Sequence, residues 1–121
     1  MRRYVLRDEV TGAALGAVAK AESAWDRLVG LLASPRVPPH DGIWLEPCGA
    51  IHTLGMRCAL DVIFLDRARR VVDVRENVAP NQMVVLCRNA HVTIELGAGS
   101  LRAGLVHVGD VLRLEETALP Q

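Results

Sequence analysis

The stretch LDVIFLD, residues 60–66, with RARR (67–70) and VVDVREN (71–77) after it, decides how this chain folds. LDVIFLD is an almost unbroken apolar run of strand length, the pattern of a strand buried on both faces. RARR turns the chain. VVDVREN sets Val72 and Val74 against Asp73 and Arg75, the alternation of a half-exposed strand. The reading is therefore a central strand over 60–66, with Val62, Ile63, Phe64 and Leu65 buried. Its antiparallel neighbour is expected over 71–76.

The same reading extends outward from that hairpin. APNQM (79–83) reads as a turn. HVTIELG (91–97) reads as a strand with Val92, Ile94 and Leu96 on one face and Thr93 and Glu95 on the other. AGSLRAGL fits one helical turn, opened by Ser100 and closed by Gly104. GDVLRLEE is a last strand, and residues 115–121 are expected to fray. Upstream, RRYVLRDEVTGAALGAVAKA reads as two strands around a turn at Thr11-Gly12. SAWDRLVGLLASP predicts a helix over 23–33. Ser23 caps it, Trp25, Leu28, Val29 and Leu32 form its apolar face, and Pro35 stops it. SPRVPPHDG (34–42) has three prolines and reads as a stiff loop before the short strand IWLEP.

Seven or eight short strands with connections too brief for repeated parallel crossovers predict a mainly β (α+β) fold. The expected form is a small, mostly antiparallel open β-barrel or curled sheet with the 23–33 helix packed on it. A chain of 121 residues predicts a single domain with one core. Acidic and basic residues balance at 14 each, so no one-signed field recruits nucleic acid or an anionic membrane. No apolar run approaches the ~20 residues of a membrane span. The start, MRRYVLRDEV, lacks the apolar region of an export signal, so a cytoplasmic protein is expected. The odd count of three cysteines, Cys48, Cys58 and Cys87, fits free thiols better than a disulfide framework. No cofactor is expected, and the chain is read as a monomer or weak homo-oligomer.

IHTLGMRCALDVIFLD (51–66) resembles the signature of domain-of-unknown-function family 192. Members carry Ile/Val-His-Thr-x-Gly-Met-Arg before an Ile/Leu-Asp-Val-x-Phe-Leu strand. RLVGLLASPRVPPHDGIWLEPC is similar to that family's Arg-x-x-Gly-Leu helix, loop and Gly-x-Trp/Phe strand. ENVAPNQMVVLCRNAHVTIELGAGSLRAGLVHVGDVLRL is similar to its closing half. The resemblance spans roughly residues 13–115 and implies no activity. Where the family often has Asp-Gly or Asn-Gly after FLD, this chain has RARR, so a loop longer than a tight primed turn is expected.

IHTLGMR (51–57) gathers polar groups at the entrance to a buried strand. His52 and Arg57 are the candidate ligand-binding residues, with Trp44 and Met56 beside them. An imidazole and a guanidinium fork suit a small anionic or polar ligand, or the end of a partner chain. Gly55 permits positive φ or close backbone approach. Thr53 and Asp61 are read as structural support, because short polar side chains satisfy nearby amides. A binding module is thus the leading reading. Two alternatives stand beside it. One is a hydrolase or transferase using His52 and Asp61, with a nucleophilic Cys48 or Cys87 served by His52 or His91 as a variant. The other is soft-metal handling, copper or zinc, through Cys48, His52 and Met56, extended by Cys58.

Overall fold

The computed structural model of the chain describes residues 2–21 and 37–117. The predicted helix 23–33 and residues 118–121 of the tail lie outside the described residues. Among the described residues the chain forms nine strands: β1 (Arg3–Asp8), β2 (Ala14–Lys20), β3 (Asp41–Leu45), β4 (Ala50–Ile51), β5 (Leu60–Leu65), β6 (Val71–Val78), β7 (Val85–Leu86), β8 (Val92–Gly97) and β9 (Leu112–Glu116). Seven make one sheet in the order β6-β5-β8-β3-β2-β1-β9, and β4 and β7 make a separate two-stranded ribbon. Every pairing is antiparallel except β2 with β3.

The mainly β, mostly antiparallel reading holds, and the sheet is open. β6 and β9 are its two edges. They meet at one end, where Arg70 bridges Val111, Val71 N donates to Asp110 O at 2.7 Å and Leu112 N donates to Arg69 O at 3.0 Å. That contact curls the sheet without closing it along its length.

The curl creates an inside and an outside, and both are apolar around β5. Inside lie Leu6, Val18, Trp44, Ile63, Leu65, Val92, Ile94, Leu96 and Leu112. Outside, Ile43, Leu45, Leu60, Val62 and Phe64 are covered by Ile51, Met56 and Val85 of the ribbon and its loop. All six residues of β5 are buried, with β6 on one side and β8 on the other, as the apolar run predicts. Each large apolar side chain buried this fully contributes about 1.5–3 kcal/mol.

β6 departs from simple alternation. Leu65 pairs with Val71 but Phe64 with Asp73, so Val72 is an extra residue, a β-bulge. It sends Val72 to the outer cluster and Val74 to the inner one, where strict alternation puts both on one face. A second irregularity lies between Leu60 and Val62, opposite Asn77 at φ 55°. The β5–β6 loop is the longer type expected. Asp66 N donates to Arg70 O at 2.9 Å, and Arg69 takes the left-handed conformation at φ 67°.

Three further points differ from expectation. β9 includes Glu115 and Glu116, which pair with Val5 and Tyr4, so the chain does not fray at 115. Thr93 and Glu95 are buried, because the outer face of β8 is covered as well as the inner one. The turn after Ser100 is a 3-10 turn, Arg102–Gly104, with Leu101 at its start. The Ser100 hydroxyl donates to Gly97 O instead of capping the turn. No helix among the described residues is long and apolar enough to cross a membrane.

Candidate binding site

Thr53 is the fixed point of the 51–57 loop. It is fully buried, and its groups are held by the segment 79–82. Its hydroxyl donates to Ala79 O at 2.8 Å and accepts from Gln82 N at 2.8 Å. Its amide donates to Gln82 O at 3.0 Å, and its carbonyl accepts from Asn81 N at 2.8 Å and Met56 N at 3.1 Å. The Met56 bond closes a four-residue β-turn over Thr53–Met56, with Gly55 at φ 79° in the third position. That φ is what a type II turn demands there. Gly55 N then donates to Asn81 Oδ1 at 3.1 Å. Two loops distant in sequence are thereby joined into one double loop.

His52 and Arg57 flank that turn, one residue before it and one after it. Both are exposed. His52 Nδ1 accepts from Leu54 N at 3.3 Å, which leaves Nε2 to carry the ring proton of the neutral form. Arg57 has no hydrogen-bond or ion-pair partner in the described structure, unlike Arg2, Arg3, Arg7, Arg69, Arg75 and Arg113. Around them the double loop shows apolar side chains to solvent: Leu54 at 40%, Met83 at 74%, Val84 at 64% and Leu86 at 48% exposure. Ile51, Met56 and Val85 point the other way, into the outer cluster.

Other predicted site residues are not brought to this face. Trp44 belongs to the inner cluster, whereas Ile51 and Met56 belong to the outer one, so the β3 strand separates it from the loop. Its indole N–H donates to Glu46 Oε1 at 3.1 Å, and the Arg69 guanidinium lies 5.5 Å from its ring centre. Trp44 therefore walls no site with His52. Met56 is buried, where its thioether packs as a core side chain.

Asp61 is bonded away from His52. Its Oδ1 accepts from Asn77 N at 2.8 Å, and its Oδ2 accepts from Gly99 N at 3.1 Å and Leu101 N at 3.0 Å. Three backbone amides thus satisfy a buried carboxylate. They belong to Asn77 at the second irregularity of β6 and to the 99–101 turn, not to the 51–57 loop.

Cys48, Cys58 and Cys87 are free thiols, each half-buried. Cys48 Sγ donates to Ala50 O at 3.2 Å. Among the described residues no group of three or more His, Cys, Asp and Glu side chains is arranged to hold a metal ion.

Two clefts of the described surface lie elsewhere. One, about 460 Å³, is lined by Val37, Pro38, Pro39, Cys58, Ala59 and Ala98. The other, about 480 Å³, lies between the β5–β6 turn and the 87–90 turn, with Asp66, Arg67, Arg88, Asn89 and His91 among its walls. Sequence reasoning missed Asn81, Gln82 and the second cleft. An available signal was the Pro80-Asn81 pair, since asparagine often takes the left-handed conformation that Asn81 adopts at φ 64°.

The fold is shared with solved structures. A candidate transcription regulator from Sinorhizobium meliloti 1021 superposes with a TM-score of 0.76 at 21% identity, over 93% of this chain and 92% of that one. A protein of unknown function from Novosphingobium aromaticivorans DSM 12444 superposes with a TM-score of 0.73 at 16% identity, over 92% of this chain and 83% of that one. At these identities the likeness is one of fold. No curated protein matches the chain in sequence. The family model described as uncharacterised ACR matches residues 7–114, and the chain belongs to that family, domain-of-unknown-function family 192.

Proposed function

We propose that the protein is a cytoplasmic binding module, and that the double loop of 51–57 with 79–86 is its recognition face for a partner chain. The observation that carries the reading is an unpaired Arg57 on a double loop whose side chains Leu54, Met83, Val84 and Leu86 are exposed. A guanidinium without a partner beside apolar side chains suits a segment that presents a carboxylate next to apolar residues. A small polar ligand would leave that apolar surface in water. The bonding of Thr53 supports the reading, because a loop held in one shape loses little entropy on binding.

The enzymatic alternative needs His52 and Asp61 within reach of one another. Asp61 is occupied by three amides, and His52 is exposed on its turn. The soft-metal alternative needs Met56 beside His52, yet Met56 is buried where His52 is exposed. The geometry favours neither. The binding reading takes the protein as a monomer or weak homo-oligomer that engages neither nucleic acid nor membrane.

Panning a randomised peptide display library against the full chain tests this. Enriched peptides should combine acidic and apolar residues, and Arg57→Ala with Val84→Ser should weaken them about tenfold or more. Peptides that bind this double variant as well as the native chain, or a library that yields none, overturn the proposal.

A further inference from the structure

The cleft between the β5–β6 turn and the 87–90 turn lies at the far end of β5 from the double loop. From Leu60 to Leu65 the strand spans about 17 Å. It has its own construction. The Asp66–Arg70 turn is held by Asp66, whose Oδ1 accepts from Ala68 N at 2.9 Å and Arg70 N at 3.0 Å. The second turn is closed by Ala90 N donating to Cys87 O at 3.2 Å, which puts Arg88 and Asn89 at its tip. His91 N donates to Leu65 O at 2.7 Å, so the two turns are fastened side by side. The cleft between them measures about 480 Å³ and is lined by Asp66, Arg67, Ala68, Arg88, Asn89, Ala90 and His91.

The charges in it are unevenly used. Asp66 spends an oxygen on two amides. Behind the cleft, Glu46 lies 2.9 Å from Arg69 and 3.4 Å from His91 Nε2, which orients the imidazole. The side chains of Arg67 and Arg88, one from each turn, make no hydrogen bond or ion pair in the described structure and are exposed. Two guanidinium forks and an asparagine amide thus line one cleft, with Asp66 the single carboxylate among its walls.

We infer that this cleft is an oxyanion site for a phosphate group, held between Arg67 and Arg88 with Asn89 as a further donor. Phosphate is favoured over carboxylate by the number of donors. Two forks offer parallel N–H pairs from opposite walls, and a tetrahedral dianion has acceptor oxygens for both. A carboxylate has two oxygens and satisfies one fork. The same chemistry covers free phosphate and a phosphomonoester on a larger molecule. The inference does not depend on the double loop.

The test is amide chemical-shift titration of the full chain at low ionic strength. Three probes are used: inorganic phosphate, O-phosphoserine and acetate. Phosphate or phosphoserine should move the amides of Arg67, Ala68, Arg88, Asn89 and His91 in a saturable way. Acetate should bind about tenfold more weakly or less. Tighter binding of phosphoserine than of inorganic phosphate assigns the source to a phosphomonoester, and the reverse order assigns it to free phosphate. Arg67→Ala with Arg88→Ala should abolish the shifts while the melting temperature stays unchanged, since both side chains are exposed. Shifts spread over other surface arginines, equal responses to acetate, or shifts that persist in the double variant overturn the inference.

Discussion

Thr53 and Gln82 are bonded to each other twice. The Thr53 amide donates to the Gln82 carbonyl at 3.0 Å, and the Gln82 amide donates back to the Thr53 hydroxyl at 2.8 Å. The pair couples the turn that carries His52 and Arg57 to the segment that carries Met83 and Val84. Thr53→Val keeps the shape of the side chain and removes the hydroxyl, leaving the Gln82 amide and the Ala79 carbonyl without it. The expected loss is about 1–3 kcal/mol in urea unfolding, with Thr53→Ser close to native. Equal losses in both variants would show that the methyl group matters as much as the hydroxyl.

Much of this fold was legible because burial leaves a pattern. Val62, Ile63, Phe64 and Leu65 form a run that is sensible only between two apolar layers, and they are buried between two such layers. The errors arose where a local rule depends on a distant partner. Val72 and Val74 alternate in sequence, but the bulge against Phe64 separates them, and nothing in VVDVREN marks it. Trp44 lies near the polar cluster in sequence, yet strand alternation turns it to the inner face, and only knowing which face the 51–57 loop covers decides that. Asn81 and Gln82 were read as a simple turn, because their bonds run to residues about thirty positions away.

Among the described residues Gly42 is a position where a side chain is not tolerable. A Cβ there would overlap the Glu95 carbonyl oxygen and lie 2.8 Å from its carbon, across the β3–β8 pairing. Both atoms belong to the backbone of a central strand and have no room to yield. Gly42→Ala should therefore yield misfolded or insoluble protein, whereas Gly12→Ala, with open space at φ 74°, should cost about 1 kcal/mol. Soluble expression and thermal melting of the two variants check the contrast.

Glu115 ties β9 to β1. The hydrogen bond from Arg7 Nε, at 2.5 Å, chiefly holds its carboxyl below the usual 4.5; desolvation opposes it, and the Arg7 charge and Arg113 add to the lowering. A carboxylate with a lowered folded-state pKa contributes stability that is fully present above its unfolded value. That contribution is lost as pH falls through the folded value. Glu115→Gln should therefore melt below the native chain near neutral pH and converge with it as pH falls below about 4.5 and through the lowered folded-state value. A difference that stays constant over that range would assign the loss to packing instead of charge.

The polar residues of the candidate region should differ sharply in what they do for stability. Asp61 is buried, and three amides, from Asn77 and the 99–101 turn, converge on it. Truncating it leaves all three donors without an acceptor in an apolar setting. Asp61→Ala should cost about 3 kcal/mol or more, since each buried unsatisfied group costs about 1–3 kcal/mol. Asp61→Asn keeps one oxygen but turns an NH₂ group toward amide donors, so it should fall between. His52 and Arg57 are exposed, and Arg57 has no partner in the described structure, so their alanine variants should stay within about 0.5 kcal/mol of native. Urea unfolding of the four variants reads this order directly. The same proteins then separate support from recognition. Asp61→Asn, where folded, should retain acidic peptides, and Arg57→Ala should release them at unchanged stability. If Arg57→Ala or His52→Ala unfolds as easily as Asp61→Ala, both side chains are scaffold, and the recognition face must be sought elsewhere on the sheet.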